Sequence, residues 1–139
     1  MNEYNRRVIE TFRANGGEVG GPYAGSTLLL LTSIGARSGR PHTTPLVYLA
    51  DGERLVVFGT KGGAPTNPDW YYNLRANPDA AIEVGTETIR VRATIASGEE
   101  RERLFAAQAE RRPHFAEYAA KTRREIPVVV LERLGPVTT

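Results

Sequence analysis

The 139-residue chain contains no cysteine. Disulfides, thiolate nucleophiles, zinc ribbons and iron–sulfur clusters are excluded with it. Histidine is nearly absent: only His42 and His114 are present, too few for a histidine-rich metal site. Lysine is limited to Lys61 and Lys121, and the other basic residues are arginines, whose rigid donor fork suits phosphate and carboxylate. The net charge of +2 is small, and the arginines are scattered without an aromatic-rich RNA motif, so no nucleic-acid partner is expected. No apolar run approaches the ~20 residues needed to span a bilayer. Met1-Asn2-Glu3-Tyr4 lacks the apolar core of a signal peptide. A cytoplasmic protein is the expectation.

What is present describes a folded chain. Hydrophobic residues at 40% and charged residues at 24% argue against extended disorder. A single domain over residues 1–139 is expected, with residues 1–25 forming an amphipathic helix and a connector. In Glu3–Ala14, Tyr4, Val8 and Phe12 recur at four-residue steps beside Ile9, and Asn15-Gly16-Gly17 ends the helix. Arg6, Arg7 and Arg13 lie off that stripe, which suits either peripheral contact with a membrane surface or a cover over a barrel mouth.

Thr27–Ile34 is an apolar run of the kind buried on both faces. The polar turn Gly35–Pro41 leads to a strand over Thr43–Ala50, and Asp51-Gly52 signals a hairpin into Arg54–Gly59. Asn67-Pro68 predicts a helix start with Asn67 as cap and Pro68 at the first helical position; Asn77-Pro78 stops that helix. Ala80–Val84 and Thr88–Ala96 read as a second hairpin around Gly85-Thr86. Ser97 and Glu100 have capping-box spacing at the head of a helix running to about Arg111. Pro113 opens a further short helix, and Pro127–Leu131 is a final buried strand. Six strands with two hairpins, not alternating regularly with helices, predict an α+β fold: a mostly antiparallel barrel decorated by short helices.

Four constellations can carry chemistry. Arg37, Ser38, Arg40 and His42 surround glycines in the first turn, which makes a phosphate cradle or a solvated basic hairpin. Thr60-Lys61-Gly62-Gly63 allows a flat ligand close to the backbone, with Lys61 placed to neutralise an anionic ring; an ordinary loop is the competing reading. Asn67–Asn73 offers a helix N-terminus and Trp70, with Trp70 and Leu74 equally readable as a core stripe. Phe115 and Tyr118 share a helical face that either walls an apolar pocket or packs on the barrel. No nucleophile motif is present.

Taken in order, Leu31–Pro41, Thr44-Pro45-Leu46, Asp51-Gly52, Lys61-Gly62-Gly63-Ala64, Asn67–Leu74, Ala76-Asn77-Pro78 and Ile126–Val130 resemble the deazaflavin-dependent nitroreductases, also described as deazaflavin-dependent quinone reductases. The resemblance implies a flavin-reductase-like split β-barrel, and an enzyme that passes hydride from the reduced 8-hydroxy-5-deazaflavin coenzyme F420 to quinone-like or nitroaromatic acceptors. It places the coenzyme phosphate on Arg37 and His42, helped by Ser38 and Arg40. It places Pro45, Thr60, Lys61, Gly62, Gly63, Ala64, Trp70 and Asn73 along the coenzyme. Val47, Phe115 and Tyr118 fall at the acceptor pocket, with Tyr118 or water as the proton donor. The alternatives are a flavin mononucleotide (FMN) oxidoreductase on the same barrel and a non-catalytic deazaflavin carrier.

Overall fold

A computed structural model describes residues 3–20 and 27–136. Helix α1 (Glu3–Ala14) is followed by strands β1 (Leu28–Ile34), β2 (Pro41–Asp51) and β3 (Arg54–Phe58). A 3-10 turn (Lys61–Gly63) and helix α2 (Asp69–Ala76) lead to β4 (Asp79–Val84) and β5 (Glu87–Ile95). Helices α3 (Gly98–Arg111) and α4 (His114–Lys121) precede β6 (Val128–Pro136). The connector expected up to residue 25 lies, from residue 21 on, outside the described residues.

The six strands close into an antiparallel barrel in the order β1-β2-β3-β6-β5-β4. Closure comes from β1, which pairs with both β2 and β4, and from β6, which pairs with both β3 and β5. Among the described residues no strand is left as an exposed edge, the usual liability of a small sheet. This is the α+β barrel that the strand tally predicts.

The burial pattern explains the uninterrupted apolar runs. Leu29 and Leu31 of β1, Leu55 and Val57 of β3, and Val129 and Leu131 of β6 point into one interior cluster. Their neighbours point outward but remain covered. Leu28 and Leu30 lie under Val8, Ile9 and Phe12 of α1. Val56, Phe58, Val128 and Val130 lie under Leu104 of α3 and Phe115 of α4. Strands covered on both faces lose the alternation of a half-exposed sheet. Val8, Ile9 and Phe12 of the α1 stripe are therefore packed on the outer wall of the barrel at β1, while Tyr4 is 53% exposed.

Three local expectations are corrected. Asn67 does not cap α2: Pro68 occupies the cap position, the helix begins at Asp69, and the Asn67 Oδ1 accepts from Arg124 Nη1 at 2.7 Å. Ser97 stands at the cap of α3 but its hydroxyl makes no capping bond, and Glu100 pairs with Arg54 at 3.5 Å. The expected capping box is not formed. Strand β6 extends five residues past Leu131, because Glu132, Arg133, Gly135 and Pro136 pair with Arg92, Val91, Arg90 and Ile89 of β5. That extension is held by backbone pairing, and most of its residues are exposed, so hydrophobicity did not mark it.

Candidate active site

A cleft of about 810 Å³ opens between the β1–β2 bend and the start of α2. That volume lies within the range of small-molecule and cofactor sites. The bend supplies Gly35, Ala36, Arg37 and Ser38; β2 supplies His42, Thr43 and Thr44; α2 supplies Asp69, Trp70, Tyr72 and Asn73; and α1 contributes Asn5.

The bend is shaped by its own hydrogen bonds. Gly35 N donates to Arg40 O at 2.8 Å and Gly39 N to Gly35 O at 3.0 Å. Gly39 holds a left-handed φ of +69°, the conformation glycine adopts without strain. Arg40 N donates to the Ser38 hydroxyl oxygen at 3.1 Å, and that same oxygen lies 3.2 Å from His42 Nε2. Because Arg40 N–H occupies an acceptor position on Ser38, the hydroxyl proton can point to an unprotonated Nε2. Gly35 makes this pairing possible: a Cβ there would collide with the Ser38 hydroxyl and lie 2.9 Å from His42 Nε2.

Helix α2 is tied to the bend from the other side. Ala36 N donates to Asn73 Oδ1 at 3.0 Å, while Asn73 Nδ2 reaches the buried Ser33 hydroxyl at 3.4 Å. Asn77 Nδ2 donates to Ile34 O at 3.4 Å. Trp70 is only 5% exposed and packs with Leu74 into the barrel cluster while also bordering the cleft. Both readings of Trp70 therefore hold: it is core and cleft wall together.

Of the residues singled out in the sequence, the structure brings Arg37, Ser38, His42, Trp70 and Asn73 to one cleft. Arg40 is exposed and shapes the bend through its backbone. Pro45 sits opposite Leu30 on β2, and Val47 packs into the cluster beneath α1. Thr60, Lys61, Gly62, Gly63 and Ala64 form a turn beside α4: Lys61 Nζ donates to Thr66 Oγ1 at 3.0 Å, and a Cβ on Gly63 would meet Lys121. Phe115 is buried edge-on against Phe58, and Tyr118 lies against His114 and Phe115. None of these last groups lines the cleft.

Asn5 was not singled out in the sequence, and Asp69 and Tyr72 fell within the Asn67–Asn73 constellation without a role of their own. Asp69, Tyr72 and Asn73 stand at i, i+3 and i+4, the spacing of one helical face, and that pattern was the available signal. Arg124 was missed as well. Its guanidinium reaches the carbonyls of Gly59, Thr60 and Ala64. Burial pushes the Arg124 pKa below its ordinary value, with the nearby Tyr72 acting in the opposite sense.

The cleft fits a planar coenzyme with a phosphate. One end carries Arg37, His42 and the Ser38 hydroxyl around a bend that a Cβ would fill. The other is walled by the Trp70 indole and the first turn of α2. Among the described residues no cluster of metal-ligating side chains occurs.

The sequence model of the family described as F420H(2)-dependent quinone reductase matches residues 4–133. The chain is 37% identical over 126 residues to an F420H(2)-dependent quinone reductase of Mycobacterium tuberculosis, covering 88% of this chain and 85% of that protein. The solved structure of an F420-H2 dependent reductase, FDR-A, aligns with a TM-score of 0.71 at 36% identity, over 76% of this chain and 94% of that one. A structure described as a domain-swapped dimer aligns with a TM-score of 0.73 at 33% identity, over 94% and 95% of the two chains. The chain belongs to the F420H(2)-dependent quinone reductase family.

Proposed function

We propose that this chain is a reductase that binds reduced coenzyme F420 in the cleft and reduces quinones. The observation that carries the reading is the joining of the Gly35–His42 bend to α2 in a single cleft, with a basic, hydroxyl-bearing end and an aromatic wall. Family membership supplies the identity of the coenzyme, and the favoured acceptor follows from the relatives' names. When bound, the coenzyme supplies the hydride; the chain supplies binding, orientation and shelter from water.

Arg37 holds the phosphate by charge, with the His42 ring and the Ser38 hydroxyl as hydrogen-bonding groups at the same end of the cleft. Trp70 borders the flat part of the coenzyme, and Asn73 keeps the bend at a fixed distance from α2. With hydride supplied by the bound coenzyme, the reaction would need no protein nucleophile, in keeping with the lack of a familiar catalytic motif. Nitroaromatic reduction and the acceptor roles of Val47, Phe115 and Tyr118 have no support from the cleft lining, and the proton donor is left to solvent in this reading.

Anaerobic stopped-flow oxidation of reduced F420 by menadione tests the proposal. Turnover is expected, with the KM for the coenzyme raised in the Arg37→Ala/His42→Ala double variant. Lack of turnover with menadione and with longer-chain quinones would favour a coenzyme carrier.

A further inference from the structure

Arg124 lies between α4 and β6, outside the cleft, yet its guanidinium organises the segment leading into it. Nε donates to Ala64 O at 2.9 Å, Nη1 to Gly59 O at 2.9 Å and to Asn67 Oδ1 at 2.7 Å, and Nη2 to Thr60 O at 2.7 Å. Three main-chain carbonyls and one amide oxygen thus converge on one side chain. Converging carbonyl dipoles repel unless a multidentate donor lies between them. The planar guanidinium meets several acceptors at fixed angles, which a lysine ammonium cannot reproduce.

The clamped segment is conformationally demanding. Among the described residues Lys61 is the one non-glycine residue with positive φ, at +46°. Such a backbone persists where its surroundings over-determine it. The fourth acceptor, Asn67, stands two residues before α2 begins, and α2 brings Asp69, Trp70, Tyr72 and Asn73 to the cleft.

We infer that Arg124 is a positioning residue, fixing the 59–67 segment and through Asn67 the placement of the first turn of α2 against the Gly35–His42 bend. It contributes without lining the cleft. On the coenzyme reading above, removing it weakens coenzyme binding while leaving the acceptor side less affected.

The test uses the full chain with Arg124→Lys and Arg124→Ala. Two readouts need no coenzyme. The first is amide exchange at Gly63 and Ala64, whose N–H groups bond Thr60 O and Lys61 O. It is expected to rise about tenfold or more in both variants, with barrel amides such as Val56 and Val129 little changed. The second is the emission of Trp70, the sole tryptophan, which is expected to shift. The third readout is kinetic: the KM for reduced F420 is expected to rise about tenfold or more, and that for menadione far less. Lysine is expected not to restore wild-type behaviour. Wild-type exchange at Gly63 and Ala64 in Arg124→Lys would overturn the assignment. So would acceleration spread evenly through the barrel, the mark of general destabilisation. If both variants fail to fold, Asn67→Ala decides: it retains the three carbonyl contacts, and an unshifted Trp70 emission would overturn the link to α2. If the wild type shows no turnover with the coenzyme, the proposed function falls, while exchange and emission still decide the role of Arg124.

Discussion

At Gly35 the backbone lies so close to Ser38 and His42 that a methyl group would land 2.9 Å from His42 Nε2. Gly35→Ala is therefore expected to displace the Ser38–His42 pair at little cost to the fold, since both are ends of exposed side chains that can move aside. A coenzyme titration and a thermal melt check this; unchanged affinity would mean the pair is not part of the binding end. Asn73→Ala removes the acceptor of Ala36 N–H and is expected to cost about 1 kcal/mol, since the exposed amide recovers a bond to water. Chemical denaturation measures that loss. At this scale the sequence was legible where residue types are unusual together, as in Gly35–Arg40 and around Trp70. Arg124 was not legible. In Arg123-Arg124-Glu125 one charged residue resembles the next until the chain brings it to carbonyls some 60 positions away, at Gly59, Thr60 and Ala64.

Helix α1 illustrates what periodicity predicts and what it leaves open. Its span and stripe were legible from Val8, Ile9 and Phe12, but a stripe does not say what it faces. The structure faces it toward Leu28 and Leu30, and Arg6 and Arg13 are engaged with Glu3 and Glu83. Phe12 is 1% exposed, so Phe12→Ala is expected to destabilise the fold by about 3–5 kcal/mol, read by urea unfolding. With Val8, Ile9 and Phe12 covered, co-sedimentation with anionic vesicles at physiological salt is expected to be negligible. Strong co-sedimentation would show that α1 leaves the barrel. Other elements were legible only in part. The pairing of β6 beyond Leu131 and the missing caps of α2 and α3 depend on partners distant in sequence: β5, Arg124 and Arg54.

Across the whole molecule, the barrel was legible because its six strands lack regular helical crossovers, but its closure through β1–β4 and β5–β6 pairing was not. Backbone pairing between strands distant in sequence leaves no local signature. The Asp51 cluster links the β2–β3 turn to α3. Hydrogen bonds from Arg103 and then Arg54 hold the Asp51 carboxyl below its ordinary pKa of 3.8. A depressed folded-state value means that the unfolded chain binds the proton first on acidification. The stabilisation is thus present above 3.8 and is lost as pH falls through the lower folded value. Unfolding free energy is expected to decline over that window, with a shallower decline in Asp51→Asn. Equal slopes in the two proteins would remove Asp51 from the acid response.

The joining of the bend and α2 into one coenzyme cleft is tested most directly by titration. Trp70, the sole tryptophan, reports binding of F420, FMN and riboflavin from the cleft wall. Saturable quenching by F420 is expected, weakened in Arg37→Ala/His42→Ala by about 1–3 kcal/mol per lost charged contact. Tighter binding of FMN than of F420, or F420 binding unaffected by the double substitution, would contradict the account.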